Sequence, residues 1–310
     1  AANNTAVGTS ALKANTTGSI NTAVGFESLK ANTTGSQNVA IGRNALLLNT
    51  TAVANTGIGT SALSAVTTGG YNTAVGGDAL KTNTTAANNT AVGYQALTAN
   101  TTGQNNVALG SQALYTNTTG QQNTATGLGA MYLNTEGDYN TAVGYTALRN
   151  NTTADNNTAV GYRAMRETTT GANNTGIGYY ALNANTTGDK NVAIGVNALD
   201  ANTTGQYHTA VGYAALTSNT DSNNNTAIGF QVLHDNTTGT NNTGLGTSAL
   251  QANTTAANNT AVGYYALKVN TTAENSAFGY QALAANTSGG VNSAFASYAL
   301  LSNTTGWGNT

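Results

Sequence analysis

The chain predicts a mainly β fold, a parallel β-solenoid, and three observations carry that prediction. A glycine returns at every seventeenth residue from Gly8 to Gly263; one step of 16 then leads to Gly279, and Ala296 is the one exception among 18 such anchors. The apolar positions hold a fixed register to these anchors. No proline interrupts the chain, as an unbroken hydrogen-bonded ladder requires. A unit this short cannot enclose a core alone and is stabilised only by stacking on its neighbours. Residues 1–310 are therefore read as a single solenoid of about 18 tandem 17-residue repeats. Because both ends fall inside a repeat, without the polar-faced units that cap a solenoid, the array is expected to be an excerpt of a longer chain.

Each repeat reads NTAVGYxALxANTTGxx, and its parts are taken in order, numbered from the anchor. NTAVG is a short strand. Asparagine fills position −4 in 17 of 18 copies, His208 being the exception, and stacked asparagines can form a side-chain ladder. Val, Ile, Leu or Phe precedes the anchor, with Thr126 the one polar substitute, and this is expected to be a first core row. The segment xALxAN holds Leu at +4 in 16 copies and Met131 or Met165 in the others, a second core row. Its 0, +3, +4, +7 spacing and its helix-forming residues predict a helical or 3₁₀ turn. An extended segment, giving an all-β roll with two strands per coil, is the alternative. NTTG is the return, with Asn at +7 expected to be left-handed and a small residue at the corner. At about 4.8 Å per stacked strand, 18 coils would form a rod on the order of 85 Å long. Apolar burial per coil is small, so ladder hydrogen bonds and packing against sister chains are expected to supply the remaining stability.

Composition removes several function classes. Charged residues make up 6% and the net charge is −2, so there is no basic footprint for nucleic acid or for an anionic membrane. Cysteine is absent, which excludes disulfides and thiol chemistry, and no apolar run is long enough for membrane insertion. The two histidines, His208 and His234, lie in different columns, and no acidic column repeats. No catalytic residue, metal site or cofactor is expected, and the protein is read as not an enzyme. His208 is read as a structural substitute for a ladder asparagine.

Two repeated features are candidates for contact with other molecules. Aromatic residues fill position +1 at Phe26, Tyr94, Tyr145, Tyr162, Tyr179, Tyr213, Phe230, Tyr264 and Tyr280. Such a row could cover a joint between neighbouring chains or stack on sugar rings of a glycan. The return matches the N-glycosylation sequon at Asn15, Asn32, Asn49, Asn83, Asn100, Asn117, Asn151, Asn185, Asn202, Asn236, Asn253, Asn270, Asn286 and Asn303. The match follows automatically from a turn that prefers Asn before Thr, so these are candidate glycosylation sites only in that sense.

The unit NTAVGYxALxANTTG, as at Asn89 to Gly103, resembles the tandem repeats of phage and large-virus tail-fibre-like proteins and of bacterial surface repeat proteins. The NVAIG and NTAVG half, at Asn38 to Gly42 and Asn191 to Gly195, is similar to head repeats of trimeric autotransporter adhesins, which are homotrimeric parallel β-rolls. The resemblance spans all 18 copies. It implies a structural fibre or filament, extracellular, at a cell surface or on a virion, whose partners are copies of itself. An adhesin shaft that binds cell-surface glycans through exposed Tyr, Thr and Asn columns is the alternative.

Overall fold

The computed structural model describes residues 2–310 and divides them into two units, one ending at Asn156 and the other running from Asn157 to Thr310. Both are built of parallel β-solenoid coils, and no helix occurs among the described residues. In the first unit nine three-residue strands, from Thr5–Val7 to Thr141–Val143, pair in parallel, each with the next in sequence, in registers such as Thr5↔Thr22 and Thr124↔Thr141. In the second, nine strands from Thr158–Val160 to Ser293–Phe295 do the same.

The expected helical turn after the anchor is not helical. Position +2 and position +4 both take positive φ in coil after coil, as at Gln95 (55°) and Leu97 (52°), which no helix allows. Local closure comes from two tight turns, Ala96 N–H to the Gly93 carbonyl (3.3 Å) and Asn100 N–H to the Leu97 carbonyl (3.3 Å). The other amides bond between coils instead: Leu97 N–H to the Ala113 carbonyl (2.9 Å) and Ala99 N–H to the Tyr115 carbonyl (3.1 Å). The return behaves likewise, with Thr101 N–H and its Oγ1 both reaching the Thr118 carbonyl at 3.0 Å. The ladder therefore extends well beyond the short strands. This is the stabilising contribution that so small an apolar core lacks.

The strand sets which rows face inward. With Asn at −4 buried, the two-residue alternation of a strand buries −2 and turns −3 and −1 outward. Ala91 is fully buried, whereas Val92 on its C-terminal side is 39% exposed. The row before the anchor is thus an outer row rather than the expected first core row, and Thr126 is an ordinary member of it. The apolar interior consists of the alanines at −2 and +3 and the Leu or Met at +4, all fully buried in the inner coils.

The anchor glycine is required by its conformation and by its neighbour. Gly110 has φ of 135°, and a Cβ there would lie 2.6 Å from the Gly127 carbonyl oxygen of the following coil. Ala296 holds the same region, with φ of 145°, after the last strand.

The one coil of 16 residues absorbs its deletion in the return. Strand register is kept by Thr260↔Ser276. Asn270 Nδ2 donates to the Thr272 carbonyl (2.6 Å), while Thr272 Oγ1 reaches the Gly289 carbonyl (2.6 Å). The row at −4 continues across the step, through Asn275 N–H to Asn259 Oδ1 (3.0 Å), whereas the row at +7 breaks: Asn270 Nδ2 no longer reaches Asn253 Oδ1, which is buried without a partner, and the row resumes with Asn286 Nδ2 to Asn270 Oδ1 (2.9 Å).

Candidate interaction surface

Two asparagine rows run through the interior of each unit and meet at one carbonyl. At −4, the backbone N–H of Asn106 donates to Asn89 Oδ1 of the previous coil (2.9 Å), and Asn106 Nδ2 crosses its own coil to the Gly120 carbonyl (2.8 Å). At +7, Asn117 Nδ2 donates to the same Gly120 carbonyl (3.0 Å) and to Asn100 Oδ1 of the previous coil (3.0 Å). The first row is the expected ladder. The second is a correction, since Asn at +7 is not left-handed; its side chain, held inside, is what the position requires.

This second row determines the fate of the sequons. Asn32, Asn49, Asn83, Asn100, Asn117, Asn151, Asn185, Asn202, Asn236, Asn253, Asn270 and Asn286 are fully buried, and Asn15 and Asn303 are half-buried. In the coil of Asn100 the Nδ2 that would carry a sugar donates to Asn83 Oδ1 (3.0 Å) and to the Gly103 carbonyl (2.9 Å). A glycan at such an atom is incompatible with the closed coil.

Where the row is interrupted, an acceptor is stranded. Val66 stands at +7, and Asn49 Oδ1 of the preceding coil is buried with no hydrogen-bond partner. An unsatisfied buried acceptor costs about 1–3 kcal/mol. Val66→Asn is expected to raise stability by about 1 kcal/mol once the lost apolar burial is subtracted. A higher midpoint in urea unfolding checks this, and an unchanged or lower midpoint contradicts it.

His208 takes over the ladder asparagine's bonds. Its backbone N–H donates to Asn191 Oδ1 (3.0 Å), its Nδ1 accepts from the Asn225 N–H (3.2 Å), and Nε2 lies 2.7 Å from the Ser222 carbonyl. These partners require the tautomer protonated on Nε2. Burial lowers its pKa to about 4, against weaker opposing contributions from the hydrogen bonds to Ser222 and Asn225. Since the unfolded chain titrates near 6.5, it binds more protons than the fold between about pH 6.5 and 4, and stability falls as pH drops through that window, by ~3 kcal/mol in all. His208→Asn is expected to abolish this share of the acid sensitivity, read as the difference in unfolding midpoint between pH 7 and pH 4.5; an equal drop in both proteins contradicts the assignment.

The outer surface holds the candidate contact column. Phe26, Tyr94, Tyr145, Tyr162, Tyr179, Tyr213, Phe230, Tyr264 and Tyr280 are between 39 and 56% exposed. Where adjacent coils of the second unit both carry a ring, the rings stack: Tyr162 on Tyr179 at 5.3 Å, Tyr213 on Phe230 at 5.3 Å, Tyr264 on Tyr280 at 5.2 Å, each pair within 11° of parallel. Beside this row, separated from it only by the anchor, runs the outer aliphatic row, apolar in sequence yet outside the core. Ile177, Ile194, Ile228 and Leu245 belong to it, and it ends in stacked Phe278 and Phe295 (5.0 Å). The signal that could have exposed it was the buried asparagine three residues earlier, which fixes the side of the strand.

Acidic residues serve the coils themselves: Asp138 Oδ1 accepts the Gln121 N–H and Asp155 Oδ1 the Asp138 N–H, both at 2.7 Å. No group of three or more metal-ligating side chains occurs among the described residues, and no helix is long and apolar enough to cross a membrane. The fold defines a class, the parallel β-solenoid repeat protein. No family model and no curated protein matches the chain.

Proposed function

We propose that the chain is a non-catalytic structural protein, a stiff spacer within an extracellular or virion-borne fibre, whose reach is set by the number of coils. The observation that carries this reading is that coil after coil uses the same polar groups to bind its neighbours: backbone amides, two asparagine rows with few interruptions and the Thr hydroxyls at +8 all bond from coil to coil. Only contacts at a separation of one coil are needed, so length is a free variable of the design. The proposed setting rests on the resemblance of the repeat to tail-fibre-like and surface repeat proteins.

The reading is tested by excision. Removing 68 residues from the first unit, four coils in register, is expected to leave a folded protein shortened by ~19 Å in X-ray scattering, at about 4.8 Å per coil. Removing 60, which breaks the register, is expected to abolish cooperative melting. A maximum dimension that does not respond to coil number would overturn the proposal. Binding to a glycan array by the isolated chain, lost in Tyr213→Ala and Tyr264→Ala, would replace it with the adhesin reading.

A further inference from the structure

The second unit, Asn157–Thr310, carries two adjacent outer rows that contain no charged residue in any of its nine coils. One is the aliphatic row before the anchor; the other is the largely aromatic row after it. Half-exposed rings retain on the order of 100 Å² each, so Tyr179, Tyr213, Phe230, Tyr264 and Tyr280 together expose roughly 500 Å². The aliphatic row, with Ile177, Ile194 and Ile228 each between 37 and 38% exposed, brings the stripe to the ~800 Å² per partner of a stable protein interface. Soluble proteins rarely leave an apolar patch of that extent uncovered.

The spacing of the stripe identifies its occupant. Its side chains recur once per coil, at the separation of parallel strands, ~4.8 Å. A globular partner has no such period and would meet only a few coils in register. Another solenoid of the same repeat meets all nine, and neither row brings a charge of its own to be desolvated, Arg163 lying beside the stripe over the Tyr162 ring (5.3 Å). Cyclic symmetry with its axis along the stack keeps coils of equal number at equal height, and an axis running beside the aliphatic row sets that row against its own copy.

We infer that the paired outer rows of the second unit are the surface on which parallel, in-register copies of this chain associate. The inference rests on the structural reading above and adds the face and the register. It accounts for the absence of charge from both rows, although Arg43 occupies the same outer column in the first unit.

The chain contains no cysteine, which makes crosslinking between copies clean. Under mild oxidation, the single variants Ile177→Cys and Val262→Cys are each expected to form disulfide-linked dimers, while Thr238→Cys, exposed in the return, is expected to remain unlinked. Light scattering on the unmodified protein is expected to give an integer multiple, two or more, of 31.0 kDa. The double variant Ile194→Lys, Ile228→Lys is expected to fall to the single mass with its far-ultraviolet spectrum unchanged. A single-chain mass for the unmodified protein overturns the inference, as does crosslinking seen only when the Ile177→Cys and Val262→Cys proteins are mixed, which would make the copies antiparallel. A single chain whose length still tracked coil number would remove the interface and leave the structural reading standing.

Discussion

Gly110→Val is expected to cost about 4 kcal/mol or more and to split the thermal unfolding of the protein into two transitions. Two effects add. A branched residue at φ of 135° is strained by ~1–3 kcal/mol, and its Cβ would lie 2.6 Å from the oxygen and 2.7 Å from the carbon of the Gly127 carbonyl. Neither backbone can retreat, because Gly110 N–H donates to the Val92 carbonyl and Gly127 N–H to the Leu109 carbonyl, both at 2.8 Å. In a chain where each coil binds only the next, breaking one junction uncouples the segments on either side. Calorimetry should resolve them. Gly77→Ala is the matched control: a Cβ there meets only the Tyr94 ring, at 3.5 Å, and is expected to change stability little. Equal effects of the two substitutions would show that the anchor row is not special.

Asn100→Ala is the second large effect expected, a loss of about 4 kcal/mol. Asn100 Nδ2 binds Asn83 Oδ1, and Asn100 Oδ1 receives Asn117 Nδ2, both at 3.0 Å in a fully buried row. Truncation strands an acceptor in one coil and a donor in the other, at about 1–3 kcal/mol each, and leaves a cavity between them. The Gly103 carbonyl is not stranded, since Asn89 Nδ2 still reaches it at 2.9 Å. Urea unfolding gives the comparison, with Gln104→Ala, at an exposed position outside both rows, as the control. A loss below about 1 kcal/mol for Asn100→Ala would show that the row contributes little beyond its shape.

The period, the strand, the asparagine row at −4 and the leucine row were all legible in the sequence, because each is a fixed residue type in a fixed register. The side of the strand was not. Val92 and its equivalents read as core because they are apolar, yet apolarity does not state direction; only the buried Asn89, just before the strand, does. Nor was the backbone of xALxAN legible. Leu97 at φ of 52° contradicts the local preference of leucine, and it is held there by a hydrogen bond to a coil 17 residues away, information no local window contains. The sequons were legible as text and misleading as chemistry: Asn before Thr recurs because the asparagine is an inner rung and the threonine bonds the next coil. Of the candidate contact surface, the aromatic column was found and the aliphatic one beside it was not, for the same reason of direction.

The coil of 16 residues shows where this architecture is editable. With one residue missing, strand pairing and the row at −4 pass through, while the row at +7 loses one rung and leaves Asn253 Oδ1 buried without a partner. The return is therefore a suture that accepts a change in length at the cost of one stranded acceptor, about 1–3 kcal/mol. A short peptide spliced there would be displayed once per engineered coil, in evenly spaced rank, on a scaffold that keeps its strand register.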